Sequence, residues 1–163
     1  MHRNWRLVPF RAGHAPLLAL APGAATALRG LVFGQPVGFG AALAGLAARY
    51  EAAGPAWTLL RGERPVACGG AVRFWPGVGE CWLWLGGQAL DNPVALARHA
   101  RRALLRLRGE QGFVRLQAHV RADSPVAARF AEFLGLRREG TCPGFGPDQA
   151  THHLYGRFWQ WKA

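Results

Sequence analysis

Three residues of this chain are suited to moving protons: Glu80 at the head of an apolar run, His119 near the end of an alternating run, and Ser124 just before a helical pattern. A carboxylate can take a proton directly or through water, an imidazole titrates near neutrality, and a serine hydroxyl both donates and accepts. Each has a plainer reading as well. Glu80 could be a strand-start charge facing solvent, His119 a satisfied structural histidine, and Ser124 a helix cap. What draws them together is the segment from Gly79 to Leu136, which reads as an apolar strand, a helix opening on Asn92-Pro93, a second strand, and a helix opening on Ser124-Pro125. Two strand-to-helix junctions about thirty residues apart offer two helix N-termini to an anionic ligand. That arrangement suggests a nucleotide-type cofactor.

The elements that must position these residues follow from periodicity. Glu80-Cys-Trp-Leu-Trp-Leu85 has no turn former and reads as a strand buried on both faces, ended by Gly86-Gly87. From Pro93, the residues Leu96, Ala100, Ala103, Leu104 and Leu107 recur at helical spacing, with Arg98, Arg101, Arg102, Arg106 and Arg108 between them. Asn92 can cap this helix, proline at its first position loses no hydrogen bond, and Gly109 or Gly112 can stop it. Phe113 to Val120 alternates apolar with polar, as a strand with one face against helices does. The next helix carries Val126, Ala127, Phe130, Phe133 and Leu134 on one side, and Gly135 terminates it.

Upstream, Arg6 to Phe10 is a strand candidate, and Pro16, Pro22 and Gly23 divide the Ala15–Leu31 region into short helical pieces. Ala41 to Ala52 is a clearer helix. Trp57 to Arg61, a Gly62-Glu63-Arg64 turn and Pro65 to Phe74 form a hairpin, and Pro76 to Gly79 turns the chain into the Glu80 strand. Downstream, Leu136–Thr141 and His152–Trp159 read as a final strand pair joined by the loop Pro143–Gln149. Trp75, Trp82 and Trp84 read as core.

Composition bounds the rest. With 163 residues, half of them apolar, the chain suits one α/β domain spanning residues 1–163. Cys68, Cys81 and Cys142 are odd in number and lack paired zinc spacing, which favours a reduced, cytoplasmic setting. A metal site at Cys142, His152 and His153 is disfavoured because adjacent strand residues point to opposite faces. The stretch Met1–Arg6 lacks the uninterrupted apolar region of a signal peptide, and no run reaches the roughly 20 apolar residues of a membrane span. The net charge of +11 comes overwhelmingly from arginines scattered along the chain. That pattern implies weak, salt-sensitive association with polyanions rather than specific nucleic-acid binding.

Val66-Ala-Cys-Gly-Gly-Ala-Val72, the Glu80 strand, and Ala127-Ala-Arg-Phe-Ala-Glu-Phe-Leu-Gly135-Leu136-Arg-Arg-Glu-Gly140 together resemble the GNAT superfamily of acyl-CoA-dependent N-acetyltransferases. The resemblance covers nearly the whole chain. It implies an α/β fold with a mixed central sheet of six to seven strands, splayed between strands 4 and 5 and flanked by helices. It further implies acetyl-CoA or a related acyl-CoA as donor, an unidentified primary amine as acceptor, and direct attack in a ternary complex. Carried over by position, Leu83, Trp84 and Leu85 would pair with the pantetheine arm, and strand amides near Trp84 would stabilise the oxyanion. Asn92, Val94 and Ala95 would sit at the pyrophosphate, with Arg98 and Arg101 able to bind the adenosine 3′-phosphate. Ser124, Ala127 and Phe130 would touch the cofactor from the second helix. Glu80 would be the general base, with His119 as a second candidate and Ser124 a possible proton shuttle.

Two positions depart from the family pattern. Gln88-Ala-Leu-Asp-Asn-Pro-Val-Ala-Leu-Ala97 stands where the family has a glycine-bearing pyrophosphate loop, and Ala131 stands where it has a tyrosine general acid. Glycine matters there because backbone N–H groups must approach phosphate closely. Gly79-Glu-Cys-Trp with Arg129-Phe-Ala-Glu-Phe-Leu-Gly135 is similar to a divergent branch among phage and prophage proteins. That likeness implies an alternative, a catalytically silent structural or interaction module with phage-like particle partners; the net charge leaves a third, a basic nucleic-acid-binding protein.

Overall fold

The structure, a computed structural model, describes residues 4–32 and 37–160; of the N-terminal stretch read above, residues 1–3 lie outside it. Among the described residues seven strands form one mixed sheet: β1 (Trp5–Pro9), β2 (Ala56–Arg61), β3 (Arg64–Trp75), β4 (Val78–Leu85), β5 (Arg115–Arg121), β6 (Arg137–Cys142) and β7 (His152–Phe158). Their order is β1-β2-β3-β4-β5-β7-β6. All neighbours are antiparallel except β4 and β5. That parallel pair exists because the chain between them is a crossover helix, and a parallel pair cannot be closed by a tight turn. Among the described residues four α-helices flank the sheet: α1 (Pro22–Leu31), α2 (Phe39–Ala53), α3 (Pro93–Gly109) and α4 (Pro125–Phe133).

The β4–β5 ladder has three rungs, Val78 to Arg115, Gly79 to Leu116 and Glu80 to Gln117. Beyond Glu80 the two strands diverge, β4 remaining paired with β3 as far as Leu85 and β5 with β7 as far as Arg121. This splay corrects one expectation. β4 is not buried on both faces: Leu83 is 39% exposed, on the stretch where β5 no longer pairs with β4. Trp75, at the end of β3, is 60% exposed and is no part of the core.

The apolar faces explain the layers. Trp84 and Cys68 of the sheet pack with Leu28 of α1, with Leu43, Leu46 and Ala47 of α2, and with Phe10 and Leu18. On the opposite face Leu116, Ala71 and Tyr155 pack with Leu104 and Leu107 of α3 and Ala131 of α4. A third cluster joins Leu85, Leu96 of α3 and Phe130 of α4, which draws both helices toward the diverging end of β4. Fully burying side chains of this size contributes about 1.5–3 kcal/mol each.

The helix boundaries follow the local chemistry. Asn92 Oδ1 accepts from the Ala95 N–H at 3.0 Å, Ser124 Oγ accepts from the Ala127 N–H at 3.4 Å, and proline follows each cap. Gly135 ends α4 at φ +82°, a conformation that L side chains rarely adopt. Among the described residues no helix is long and apolar enough to cross a membrane.

Two imidazoles pack against these layers, His99 buried and His14 half-buried, with consequences for stability. Burial holds His14 below its ordinary range, with Glu51 opposing the effect. Burial holds His99 below it too, reinforced by the charges of Arg102 and Arg98. Below about pH 6.5 the unfolded chain therefore takes up protons that the folded chain refuses. Stability is full above that pH and falls as the pH drops from it toward the folded values. The urea midpoint should be lower at about pH 5.5 than at about pH 7. A midpoint unchanged across that interval would show both rings to be solvated.

Candidate active site

Strand register builds the site. Glu80 lies opposite Gln117 in the parallel ladder, and His119, two residues on, shares the face of Gln117. The Glu80 carboxylate consequently meets both: Oε1 lies 2.9 Å from His119 Nδ1, and Oε2 accepts from Gln117 Nε2 at 3.3 Å. The two proton-moving candidates on separate strands are one hydrogen-bonded pair. The His119 side chain is 13% exposed and that of Glu80 27%, so the carboxylate is open to an incoming group.

The charge pattern sets Glu80 apart. Of nine acidic residues, Glu51, Glu63, Asp91, Glu110, Asp123, Glu139 and Asp148 each lie within ion-pair distance of an arginine. Among the described residues, Glu80 and Glu132 are the two without one. In a chain of net charge +11, this half-buried carboxylate faces an imidazole instead of a guanidinium.

Trp82 and Trp84 alternate with Glu80 onto the same face, where Tyr50 of α2 packs edge-on to them at 4.8 and 5.1 Å. Burial, with the Glu80 carboxylate adding to it, raises the Tyr50 phenol above its ordinary range. Tyr50 therefore stays protonated at neutral pH. Burial likewise pushes the Cys81 thiol up to about 12 and the Cys68 thiol up to about 11. Neither sulfur is a thiolate near neutrality, which disfavours an acyl-cysteine route.

The other expected site residues separate into groups. Leu83, Trp84 and Leu85 lie on the stretch of β4 past the last rung with β5; the edge is open as far as Leu83, while at Leu85 the carbonyl accepts from the Ala21 N–H and Leu20 bridges Gly86. The Trp84 ring itself belongs to the core. Phe130 is committed to the cluster with Leu96 and Leu85. Val94 is exposed in the first turn of α3, and Ala127 and Ser124 form the first turn of α4. Arg98 and Arg101 are exposed on α3 with no ion-pair partner among the described residues.

A pantetheine arm resembles a peptide, and the short open edge of β4 between Glu80 and Leu85 fits one, since main-chain groups there are left without a β5 partner. The loop before α3 fits a diphosphate less well. The Gly86 and Gly87 N–H groups donate to Val66 and Ala19, and those of Ala89 and Leu90 close the following turn. Pro93 has no N–H, and the Ala95 N–H is taken by Asn92. The N–H groups of Gln88, Asp91, Asn92 and Val94 are left for a phosphate, and fixed positive charge would come from Arg98 and Arg101.

Sequence reasoning named Glu80 and His119 separately and missed Gln117, Tyr50 and Arg121. Alternation along β5 places Gln117, His119 and Arg121 on one face, and this was the signal available for two of them.

No protein-family model matches the sequence, and no curated protein matches it. Solved structures do match its fold. An N-acetyltransferase from Staphylococcus aureus Mu50 superposes with a TM-score of 0.72 at 14% identity, over 96% of this chain and 99% of that one. A ribosomal-protein-S5-alanine acetyltransferase from Vibrio fischeri gives 0.71 at 12% identity, over 100% and 98%. A GNAT-family acetyltransferase from Bacillus anthracis gives 0.69 at 14% identity, over 94% of each. The chain has the GNAT fold. At these identities the likeness is one of fold, and the chemistry has to be argued from the site.

Proposed function

We propose that this protein is a single-domain N-acyltransferase that moves an acetyl or related acyl group from acyl-CoA to a primary amine. The observation that carries this reading is the Glu80–His119 pair beside the open edge of β4. When bound, the acyl-CoA supplies a thioester carbonyl open to attack by an amine. An amine acceptor, mostly protonated at neutral pH, needs a base to become nucleophilic. With His119 Nδ1–H donating to Glu80 Oε1, the other ring nitrogen carries the lone pair that accepts the proton, and Glu80 stabilises the imidazolium. Free amides of β4 past Glu80 would face the charge that develops on the carbonyl oxygen. Ser124 Oγ accepts from Ala127, which leaves its O–H free to donate to the departing thiolate.

Titration with acetyl-CoA tests the reading. A ligand that binds the folded state alone stabilises it by about 2.7 kcal/mol at a hundred times its dissociation constant, so saturating acetyl-CoA should raise the melting temperature where inorganic phosphate does not. The double variant Arg98→Ala, Arg101→Ala should lose more affinity for coenzyme A than for the form lacking the 3′-phosphate, because only coenzyme A presents the extra dianion. Equal losses would mean that the arginines supply a general field. No shift at millimolar acetyl-CoA would favour a silent module.

A further inference from the structure

The loop between β6 and β7 is held on three sides. Arg121, two residues beyond His119, donates from Nε and Nη2 to Asp123 at 3.0 and 2.8 Å and from Nη1 to Asp148 at 2.7 Å. Inside the loop the Gly146 N–H donates to Ala150 O at 3.0 Å, and the Gln149 N–H to Gly146 O at 2.8 Å. Packing at Gly146 is so close that a Cβ there would fall 2.7 Å from Asp148 Oδ1 and 2.8 Å from His152 Cε1. Outside it, Pro147 abuts α1, where a Cβ on Gly30 would lie 2.7 Å from Pro147 Cβ.

A loop fixed in this way fixes Phe145. Its ring stacks on the His119 imidazole at 3.9 Å and 13°, and His152 meets it edge-on at 5.4 Å. Phe145 is nevertheless 52% exposed. One ring face is covered by the imidazole, so the exposure belongs largely to the other. The result is a bare aromatic face, rigidly presented beside the pair that takes the acceptor's proton.

We propose that Phe145 is the platform for the acceptor's body, and that the acceptor is a monoamine carried on an apolar, planar group, of the arylalkylamine class. The proposal rests on the reading of Glu80–His119 as the proton-accepting pair. An aromatic body gains from offset or edge contact with the free ring face, while its single ammonium group meets Glu80. Polyamines gain nothing from the ring face, and the oxygens of the nearby carboxylates Asp123 and Asp148 are engaged by Arg121, which leaves that cluster a single net negative charge. Free amino acids are disfavoured because their α-carboxylate would be drawn in beside Glu80.

The test uses the full chain, with 2-phenylethylamine and spermidine as probes. Direct calorimetric binding of 2-phenylethylamine is measured first, then acyl transfer from acetyl-CoA. The wild-type protein should bind 2-phenylethylamine, and its kcat/KM for that amine should exceed that for spermidine by about tenfold or more. Phe145→Ala should weaken binding by about tenfold and raise KM more than it lowers kcat, while Phe145→Tyr, which keeps the ring face, should stay within about threefold of wild type. Equal binding of 2-phenylethylamine by wild type and Phe145→Ala, or equal use of spermidine, would overturn the proposal, as would no binding by the wild type. Binding that depends on Phe145 without acyl transfer would uphold the platform and sink the acyltransferase reading. Melting temperature controls for folding, since an exposed ring contributes little to the core.

Discussion

Glu80→Gln is expected to lower acyl-transfer turnover by about a hundredfold or more while leaving acetyl-CoA affinity within about threefold. Glutamine keeps the shape of the side chain, and its carbonyl oxygen can still accept from His119 Nδ1. What it loses is the negative charge that makes an imidazolium at His119 favourable and that draws an ammonium group into the cleft. The donor edge of β4 begins one residue later and is untouched, so binding and turnover should separate. The deficit should shrink as the pH approaches the acceptor's own pKa, near 10 for a primary amine of the lysine type, because free amine then no longer depends on the enzyme. His119→Asn should give a loss of similar size. The double variant should be little worse than either single one, because residues joined at 2.9 Å act as a unit. Wild-type turnover in Glu80→Gln at neutral pH would remove Glu80 from the mechanism and leave the proton to His119 alone.

How much of this was legible beforehand depended on the range of the interaction. Asn92-Pro93 and Ser124-Pro125 announced the two helix starts because capping is decided within four residues, and Gly135 announced the end of α4 for the same reason. The hairpin from Trp57 to Phe74 was legible from its turn, and the β6–β7 pair from the glycine-rich loop between its strands. The Glu80–His119 contact was not legible. It spans 39 residues, and its register is set by packing around the β4–β5 ladder, not by any local preference. The same holds for the Arg121–Asp148 contact, which spans 27 residues, whereas Asp123 is only two residues from Arg121. Leu83 and Trp75 misled for a related reason. Side-chain type says that a residue prefers burial, while whether a partner layer reaches it depends on where the sheet splays and where a strand outruns its helices.

Phe113→Ala is the substitution expected to cost the most stability, about 3–5 kcal/mol. The ring is 1% exposed at the junction of α3 and β5, in the cluster that joins Leu104 and Leu107 to Leu116, Tyr155 and Trp159. The Arg73 guanidinium lies over it, 4.2 Å from its centroid. Gly79 is what admits the ring to that place. A Cβ on Gly79 would fall 2.6 Å from Phe113 Cε1 and 2.5 Å from Val72 O, so a larger residue would displace either the ring or the neighbouring strand. Collapse around the void is restricted, because backbone and aromatic groups line much of it, and restricted collapse places the cost high in the range for Phe→Ala. The site should feel the change as well. Gly79 and Leu116 form the middle rung of the three-rung ladder that places Glu80 beside Gln117 and, through the next turn of the pleat, His119. The urea midpoint should fall with an unchanged denaturant slope, and turnover per folded molecule should fall with it, whereas a surface change such as Phe74→Ala should move neither. A loss below about 1 kcal/mol would mean that the cavity refills and that the ladder is held from elsewhere.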